Sequence, residues 1–188
     1  TGPVLFHNTK TGFQKANVEL PAERYEAALW LDYDHDYDLD LVLLGVKSTL
    51  LRNQLPDGFQ DHSSDIPFQP HKAISASSLR VIPDTKSHDL LISYADHTAI
   101  LYKDRLGGKF DVEPTTIPSG VTNLQAADLN NDSAPDVLWN GGIAWNRNGK
   151  LVPAPWPTRL SNTLADLENR GLLDVFSAGQ VLRNESNG

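Results

Sequence analysis

The sequence contains no cysteine and no methionine. The absence of cysteine excludes disulfide bonds, thiolate zinc sites, iron–sulfur clusters and thiol catalysis. No run of 18 apolar residues is present either, which excludes a membrane-spanning helix. Because there is no methionine, Thr1 cannot be a translation start, so we expect the chain to be a processed product or an internal piece of a longer polypeptide.

Basic residues are also fewer than acidic ones. The chain has 16 Lys and Arg residues against 24 Asp and Glu residues, which gives a net charge of −8. Phosphate groups would repel such a surface, so we exclude general nucleic-acid binding and binding to anionic membranes. A length of 188 residues suits one domain with a core of its own.

What the sequence does have is an acidic pattern of nine residues that recurs along the chain. In the first copy every second residue is an acid: Asp32, Asp34, Asp36, Asp38 and Asp40. Further copies run from 128 to 136 and from 166 to 174, and a degraded copy ends at Asp89. The final acids stand at 40, 89, 136 and 174, so they are 49, 47 and 38 residues apart. A period of this length is typical of propeller blades or solenoid units.

The segments after each acidic pattern repeat as well. Thr49–Asn53 returns as Val181–Asn184, and Gly-Phe turns follow several of the copies. Short apolar runs separated by Gly, Asn and Asp are strand and hairpin signals. We therefore predict an all-β fold of β-propeller blades, with about four repeats of four antiparallel strands. The predicted region covers 1–188, with a partial blade at 1–20 and repeats at about 27–65, 72–115, 121–155 and 160–188.

Two segments also fit an amphipathic helix, namely 21–29 and 161–170. The alignment of the repeats outweighs this local preference, because helix propensity is a weak prior. A helical turn at 22–26 stays open.

The acidic loops indicate calcium. Carboxylates that converge in a tight loop repel one another unless a cation lies among them, and Ca²⁺ tolerates irregular oxygen shells better than Mg²⁺. By analogy with the EF-hand loop, positions 1, 3, 5 and 9 supply side-chain oxygens and position 7 supplies a carbonyl. We expect one to two structural ions, held by Asp32, Asp34, Asp36, the carbonyl of Asp38, and Asp40, and by Asp128, Asn130, Asp132, the carbonyl of Ala134, and Asp136. In the fourth loop Arg170 takes position 5, where its charge can replace the ion.

These loops, with Leu51–Asn53 and Gly58–Phe59, resemble the FG-GAP/VCBS repeat of integrin-type calcium-loop β-propellers. The family usually has Gly at position 6, where this chain has Tyr37, Ser133 and Gly171. Because a bulky Tyr disfavours positive φ, we expect the first loop to turn differently. In this alignment the chain begins and ends inside a blade, so we expect it to be part of a larger propeller, completed by further blades of the same polypeptide or by a second copy of this chain.

Other functional candidates are weaker. The six histidines show no metal-ligand spacing, so we interpret them as structural or surface residues. The four tryptophans are core residues between blades in one reading and a sugar platform in another: Trp30, Trp139, Trp145 and Trp156.

The resulting hypothesis is a non-enzymatic, calcium-stabilised recognition or adhesion scaffold. Millimolar calcium fills weak sites outside the cytosol, so we expect an extracellular, periplasmic or cell-surface location and a protein or glycan ligand. Two alternatives remain: a carbohydrate-binding, lectin-like propeller, and an accessory or catalytic part of a secreted polysaccharide-processing enzyme. Fold alone does not choose among them.

Overall fold

Short antiparallel strands joined by turns make up the computed structural model, which describes residues 2–156, 162–177 and 179–185. An N-terminal hairpin pairs β1 (Phe6–Thr9) with β2 (Gly12–Lys15). The remaining strands form four sheets, each built from strands that are consecutive in the chain. A single 3₁₀ turn, Ser63–Asp65, is the helical element within the described ranges.

Sheets 1 to 4 are defined by their strands. Sheet 1 contains β3 (Tyr25–Leu31), β4 (Asp40–Gly45), β5 (Thr49–Asn53) and β6 (Phe59–Asp61). Sheet 2 contains β7 (Ala73–Leu79), β8 (Asp89–Tyr94), β9 (Ile100–Asp104) and β10 (Phe110–Pro114). Sheet 3 contains β11 (Gln125–Ala127), β12 (Asp136–Trp139), β13 (Gly142–Arg147) and β14 (Lys150–Ala154). Sheet 4 contains β15 (Asn162–Ala165), β16 (Asp174–Ser177) and β17 (Gln180–Leu182).

The acidic loop has the same place in every sheet. It joins the first strand to the second, and its final Asp is the first residue of the second strand. That Asp pairs with the last residue of the first strand in all four sheets: Leu31↔Asp40, Leu79↔Asp89, Ala127↔Asp136 and Ala165↔Asp174. The sequence repeat is therefore a repeat of strand register.

The sheets pack on one another in chain order. Leu44 of sheet 1 and Ile92 of sheet 2 belong to one buried cluster, and Leu101 of sheet 2 and Val137 of sheet 3 belong to the next. A third cluster joins Leu138 of sheet 3 to Val175 of sheet 4. Buried clusters cover both faces of sheets 1 and 2, so β4 and β8 are buried along their whole length. The first strands also meet, β3 against β7 and β7 against β11.

Both helix alternatives are wrong in the described residues. Tyr25–Leu31 is strand β3 and Asn162–Ala165 is strand β15, and no helical turn occupies 22–26. Alternating exposure along β3 explains the ambiguity, since a half-buried strand carries apolar residues at intervals that a helix could also use.

Within the described ranges, no helix has the length and apolar character needed to cross a membrane.

Asparagine side chains link neighbouring sheets at the end of the third strand. Asn146 of sheet 3 donates from Nδ2 to the carbonyl of Val81, which precedes β8 in sheet 2, at 2.7 Å. Asn184 of sheet 4 makes the same contact with the carbonyl of Leu129 in sheet 3, also at 2.7 Å. In sheet 2 the equivalent residue is Asp104, which instead faces His35 of sheet 1 with Oδ2 2.7 Å from Nε2. These bonds connect the backbone of one sheet to the next.

We expect Asn146→Ala to lower the free energy of unfolding by about 1–3 kcal/mol, because buried partners of the amide lose their hydrogen bonds. These partners include the Val81 and Pro135 carbonyls and the Gly149 N–H. Chemical denaturation measures the change. Gln60→Ala, an exposed residue of β6, is the control and should change it by less than about 0.5 kcal/mol. Equal values for the two variants would show that the inter-sheet bond contributes nothing.

Candidate functional site

A buried carboxylate closes each acidic loop. Asp40, Asp89, Asp136 and Asp174 are 0%, 2%, 0% and 1% exposed. Asp136 accepts the Leu129 N–H at Oδ2 (3.1 Å) and the Asn146 N–H at Oδ1 (2.8 Å). Asp40 accepts the corresponding N–H groups of Tyr33 and Asn53. One side chain thus ties the start of the loop to the end of the third strand, and we call this arrangement the aspartate clamp.

Burial changes the acidity of the clamp. It raises the pKa of Asp40 to about 6, against which the two backbone N–H bonds act in the opposite direction. The pKa values of Asp89 and Asp136 are raised for the same reason. Withdrawal from water disfavours the charged form, and the neighbouring Asp34 and Asp36 add repulsion at Asp40. A positive charge beside Asp40 would therefore stabilise its ionised form.

The first loop brings three of its predicted ligands together. Asp32, Asp34 and Asp40 each present a carboxylate oxygen, and these atoms lie within 4.8 Å of one another. Oδ1 of Asp32 and Oδ1 of Asp34 are buried and have no hydrogen-bond partner in the described chain. Uncompensated buried carboxylate oxygens are costly, so this point of the loop favours a cation.

The other two acids of the first loop are arranged differently. Asp36 accepts the Asp38 N–H at 3.0 Å, and this bond, followed by the charge of Arg52, lowers the Asp36 pKa. The Asp38 side chain is exposed.

Arg52 of β5 enters the same loop, a contact that the sequence analysis did not foresee. Its Nε lies 2.7 Å from Asp34 Oδ2, and its terminal nitrogen lies 2.8 Å from Asp36 Oδ2. The guanidinium neutralises part of the acidic charge but leaves Asp32 without a partner. The signal was available in the sequence, since Arg52 and Arg183 hold the same place in the repeated Leu-Arg-Asn segment.

In the second loop the predicted ligands bind the loop's own backbone. Asp128 accepts the Asp132 and Ser133 N–H groups, and Asp132 accepts the Ala134 N–H at 2.9 Å. Asn130 donates from Nδ2 to Asp132 at 2.9 Å. Ala134 is buried, and Asp136 is the clamp. Among the described residues, this loop does not gather three acidic or histidine ligands within 4.8 Å.

Arginine occupies the fourth loop, as predicted. Arg170 donates to Asp174 Oδ1 at 3.1 Å and to the Asn184 carbonyl at 3.1 Å, and its Nε lies 3.0 Å from Glu168. Asp166 accepts the backbone N–H groups of Arg170 and Gly171, which lower its pKa. A covalently attached cation therefore stands beside the clamp of sheet 4.

The expectation that Tyr37 would turn the first loop differently is wrong. Tyr37 has φ of 73°, close to the values for Ser133 and Gly171 at the same position, which are 70° and 77°. The residues two places earlier, His35, Asn131 and Asn169, also have positive φ. Tyr37 is 95% exposed, so the cost of its positive φ is the local clash of its own Cβ and backbone, roughly 1–2 kcal/mol, which the bonds that fix the two loop ends outweigh.

Two tryptophans line a cleft between sheets 3 and 4 and pack against the buried cluster there. Trp145 of β13 and Trp156, which follows β14, both line a cavity of about 320 Å³. Its polar rim contains Asn130, Arg183 and Glu185. The Trp156 indole nitrogen is buried with no hydrogen-bond partner among the described residues. Trp139 fits the core reading, because it is buried. Trp30 is 42% exposed and lies outside the cleft, so Trp145 and Trp156 are the pair to which the sugar-platform reading applies.

A second group of possible metal ligands contains Asp32, His35 and His88. Sequence spacing could not reveal it, because His88 comes from the loop of sheet 2 and reaches the first loop only through sheet packing.

We expect Arg170→Ala to destabilise the protein by about 1.5–3 kcal/mol, since the buried Asp174 carboxylate loses a charged hydrogen-bond donor. Arg183→Ala is the matched control. Arg183 pairs with Glu168 at the surface and is 62% exposed, so its removal costs less than about 1 kcal/mol. Urea titration of both variants measures the difference. A larger loss for Arg183→Ala would contradict the assignment of Arg170 as the loop's cation.

Comparison with known proteins finds similarity in fold. No protein-family model matches the chain, and no curated protein matches it. A solved structure that is similar in fold belongs to an Agrocybe aegerita lectin, described as the basis of specific recognition of non-reducing terminal N-acetylglucosamine. The TM-score is 0.59 at 16% identity, and the match covers 93% of this chain and 57% of the lectin chain. At that identity the likeness concerns the fold: this chain shares an all-β architecture with a lectin.

Proposed function

We propose that the chain is a carbohydrate-binding module of lectin type, built as part of a calcium-stabilised β-propeller. The observation that carries this proposal is the tryptophan-lined cleft between sheets 3 and 4, on a fold similar to that of a lectin. The calcium-stabilised recognition or adhesion scaffold, which ranked first from the sequence alone, has less support, because neither the cleft nor the similar structure favours it.

The propeller arrangement is supported by the order of the sheets. Four consecutive meanders pack face to face, and the first strands of sheets 1 to 3 lie next to one another. Radial repetition of such sheets around a common axis gives a propeller. The chain spans 57% of the lectin chain that it matches. We propose that further sheets complete the ring, from the same polypeptide or from a second copy of this chain.

The cleft has the chemical character that a sugar requires. Indole rings present flat apolar faces to the C–H groups of a pyranose, while their N–H groups donate to hydroxyls. Trp156 offers a buried indole N–H that a hydroxyl or carbonyl oxygen of the ligand would satisfy. Arg183 and Glu185 add a cation and an anion at the rim, so both acceptors and donors of a sugar find partners. By analogy with the lectin, we propose glycans that end in N-acetylglucosamine as ligands.

Calcium is proposed for the first loop. Asp32, Asp34 and Asp40 form an all-oxygen group of the kind that suits a hard cation, and two of its oxygens need one. The second loop, with Asp128, Asn130, Asp132, Ala134 and Asp136, is a weaker candidate, because its side-chain oxygens already accept backbone N–H groups. The ion's role in either loop is to stabilise the fold. A calcium-filled loop would suit an extracellular, periplasmic or cell-surface protein.

Glycan binding is tested on an array of immobilised oligosaccharides followed by titration calorimetry. We expect binding to glycans with terminal N-acetylglucosamine, and we expect Trp156→Ala to weaken it at least tenfold. Trp30→Ala is the control, because Trp30 is an exposed tryptophan of β3 outside the cleft. Failure of the wild-type chain to bind any glycan would refute the proposal. Equal losses for the two variants would move the site away from the cleft.

Calcium binding is tested by thermal unfolding with and without a chelator. Calcium at a hundred times its dissociation constant stabilises the native state by about 2.7 kcal/mol, which corresponds to about 5–10 °C in Tm for a chain of this size. We expect Asp34→Asn to abolish most of that difference. Glu168→Gln, at the equivalent position of the arginine-filled loop, is the control and should retain it. A wild-type Tm unchanged by chelation would exclude a stabilising ion.

A further inference from the structure

Three side chains of the types that coordinate metals lie close together between sheets 1 and 2. Asp32 and His35 lie in the loop between β3 and β4, and His88 lies directly before β8. One ring nitrogen of each histidine and one carboxylate oxygen of Asp32 lie within 4.8 Å of one another. The two imidazole rings are 5.3 Å apart between centroids. All three side chains are partly buried, so the group is neither fully solvated nor closed off.

Asp104 holds the first of these histidines in place. Its side chain is fully buried, and its Oδ2 lies 2.7 Å from His35 Nε2. The same carboxylate accepts the backbone N–H groups of His88 and Leu106, at 2.8 and 2.6 Å. Because an ionised carboxylate only accepts, His35 donates from Nε2, and in the neutral ring Nδ1 keeps its lone pair. Metal-binding histidines are typically oriented by a carboxylate in this way.

The third ligand has an unmet electrostatic requirement. Oδ1 of Asp32 is buried and has no hydrogen-bond partner in the described chain. Asp32 belongs both to this group and to the all-oxygen group with Asp34 and Asp40. A carboxylate has two oxygens, so one residue can serve two cations on opposite sides of the loop.

We propose that Asp32, His35 and His88 bind a divalent transition metal ion, with zinc as the ion to test. Two imidazoles and a carboxylate suit zinc, whereas calcium prefers an all-oxygen shell. In a tetrahedral zinc site with bonds of about 2.0–2.1 Å, neighbouring ligand atoms are about 3.4 Å apart. The three ligand atoms are now 4.8 Å or less apart, so side-chain rotations that shorten each separation by about 1.4 Å at most would bring them to this spacing.

The fourth coordination position faces a cleft. Asp32, His35 and His88 all line this cavity of about 690 Å³, together with Arg80, Lys86 and Tyr37. Two cationic side chains beside an open metal position would attract a small anion or an acidic group of a larger ligand. The site therefore has the three-ligand form of an accessible zinc centre and differs from a closed structural one.

A purely structural role accounts for only part of this arrangement. The His35–Asp104 contact replaces the asparagine link that joins the other sheets, and it would hold sheets 1 and 2 together without a metal. That role brings the His88 backbone close through its N–H bond to Asp104, but it explains neither the position of the His88 ring beside His35 and Asp32 nor the unpartnered oxygen of Asp32. The proposal rests on these two features.

Zinc titration of the purified chain in calcium-saturated buffer tests the site. We expect one zinc ion per chain, with His35→Asn and His88→Gln each weakening the affinity at least tenfold. The first variant preserves the backbone, because Asn131 and Asn169 adopt the same positive φ in the other loops. Cobalt substitution supplies an independent readout, since a four- or five-coordinate site gives a visible absorption band that both variants should lose.

A control separates this site from its surroundings. His7→Gln alters an exposed histidine of β1 and should leave zinc affinity unchanged. Thermal melts in metal-free buffer identify any variant that fails to fold, and if His35→Asn does so, His88→Gln decides. Absence of zinc binding in the wild type, or binding that both histidine variants retain, would overturn the proposal. Neither result depends on whether glycans bind.

Discussion

Each of the four sheets contains a carboxylate that is withdrawn from water, and in the first three it is bonded to the backbone at two separated points of its sheet. In sheets 1 to 3 it receives one N–H from the start of the acidic loop and one from the end of the third strand. Breaking such a bond would leave a buried N–H group and a buried carboxylate oxygen without partners. That costs more free energy than the bond contributes to stability when it is formed. The aspartate clamp therefore fixes the loop to the sheet before any feature of the loop surface is considered.

Because the clamp fixes both ends of the loop, the positions between them can differ. The first loop gathers unpaired carboxylate oxygens, the second loop bonds to its own backbone, and the fourth is filled by Arg170. All three keep positive φ at the fourth and sixth positions. One backbone thus supports different surroundings for the same acidic residues: internal N–H groups in the second loop, a tethered guanidinium in the fourth and, as we propose, a bound cation in the first. The side chains of Asn146 and Asn184 then bond each third strand to the loop of the preceding sheet, which fixes neighbouring sheets relative to one another.

The part of the structure that follows from local sequence was predictable. Strand order, the position of the acidic loops and the contact of Arg170 with Asp174 all involve residues a few places apart or a repeated register. The preference of Tyr37 against positive φ misled because its local cost, roughly 1–2 kcal/mol, is outweighed where the clamp fixes both ends of the loop. Arg52 and His88 reach the first loop across strands and sheets. The repeated Leu-Arg-Asn segment carried a signal for the Arg52 contact, whereas the His88 contact depends on the packing of two sheets, which no spacing in the sequence encodes.

The first loop is also where the two kinds of constraint meet. Its backbone is set by the clamp of its own sheet, whereas His35 is bonded to Asp104, which begins the corresponding link in sheet 2. Asp104 in turn donates its N–H to Asp89, the clamp of sheet 2. Two clamps are thereby connected through one histidine, and any cation held by Asp32 would act on both. Because these bonds cross between the sheets, adding or removing a cation at this loop would alter the packing of sheet 1 against sheet 2 as well as the loop itself.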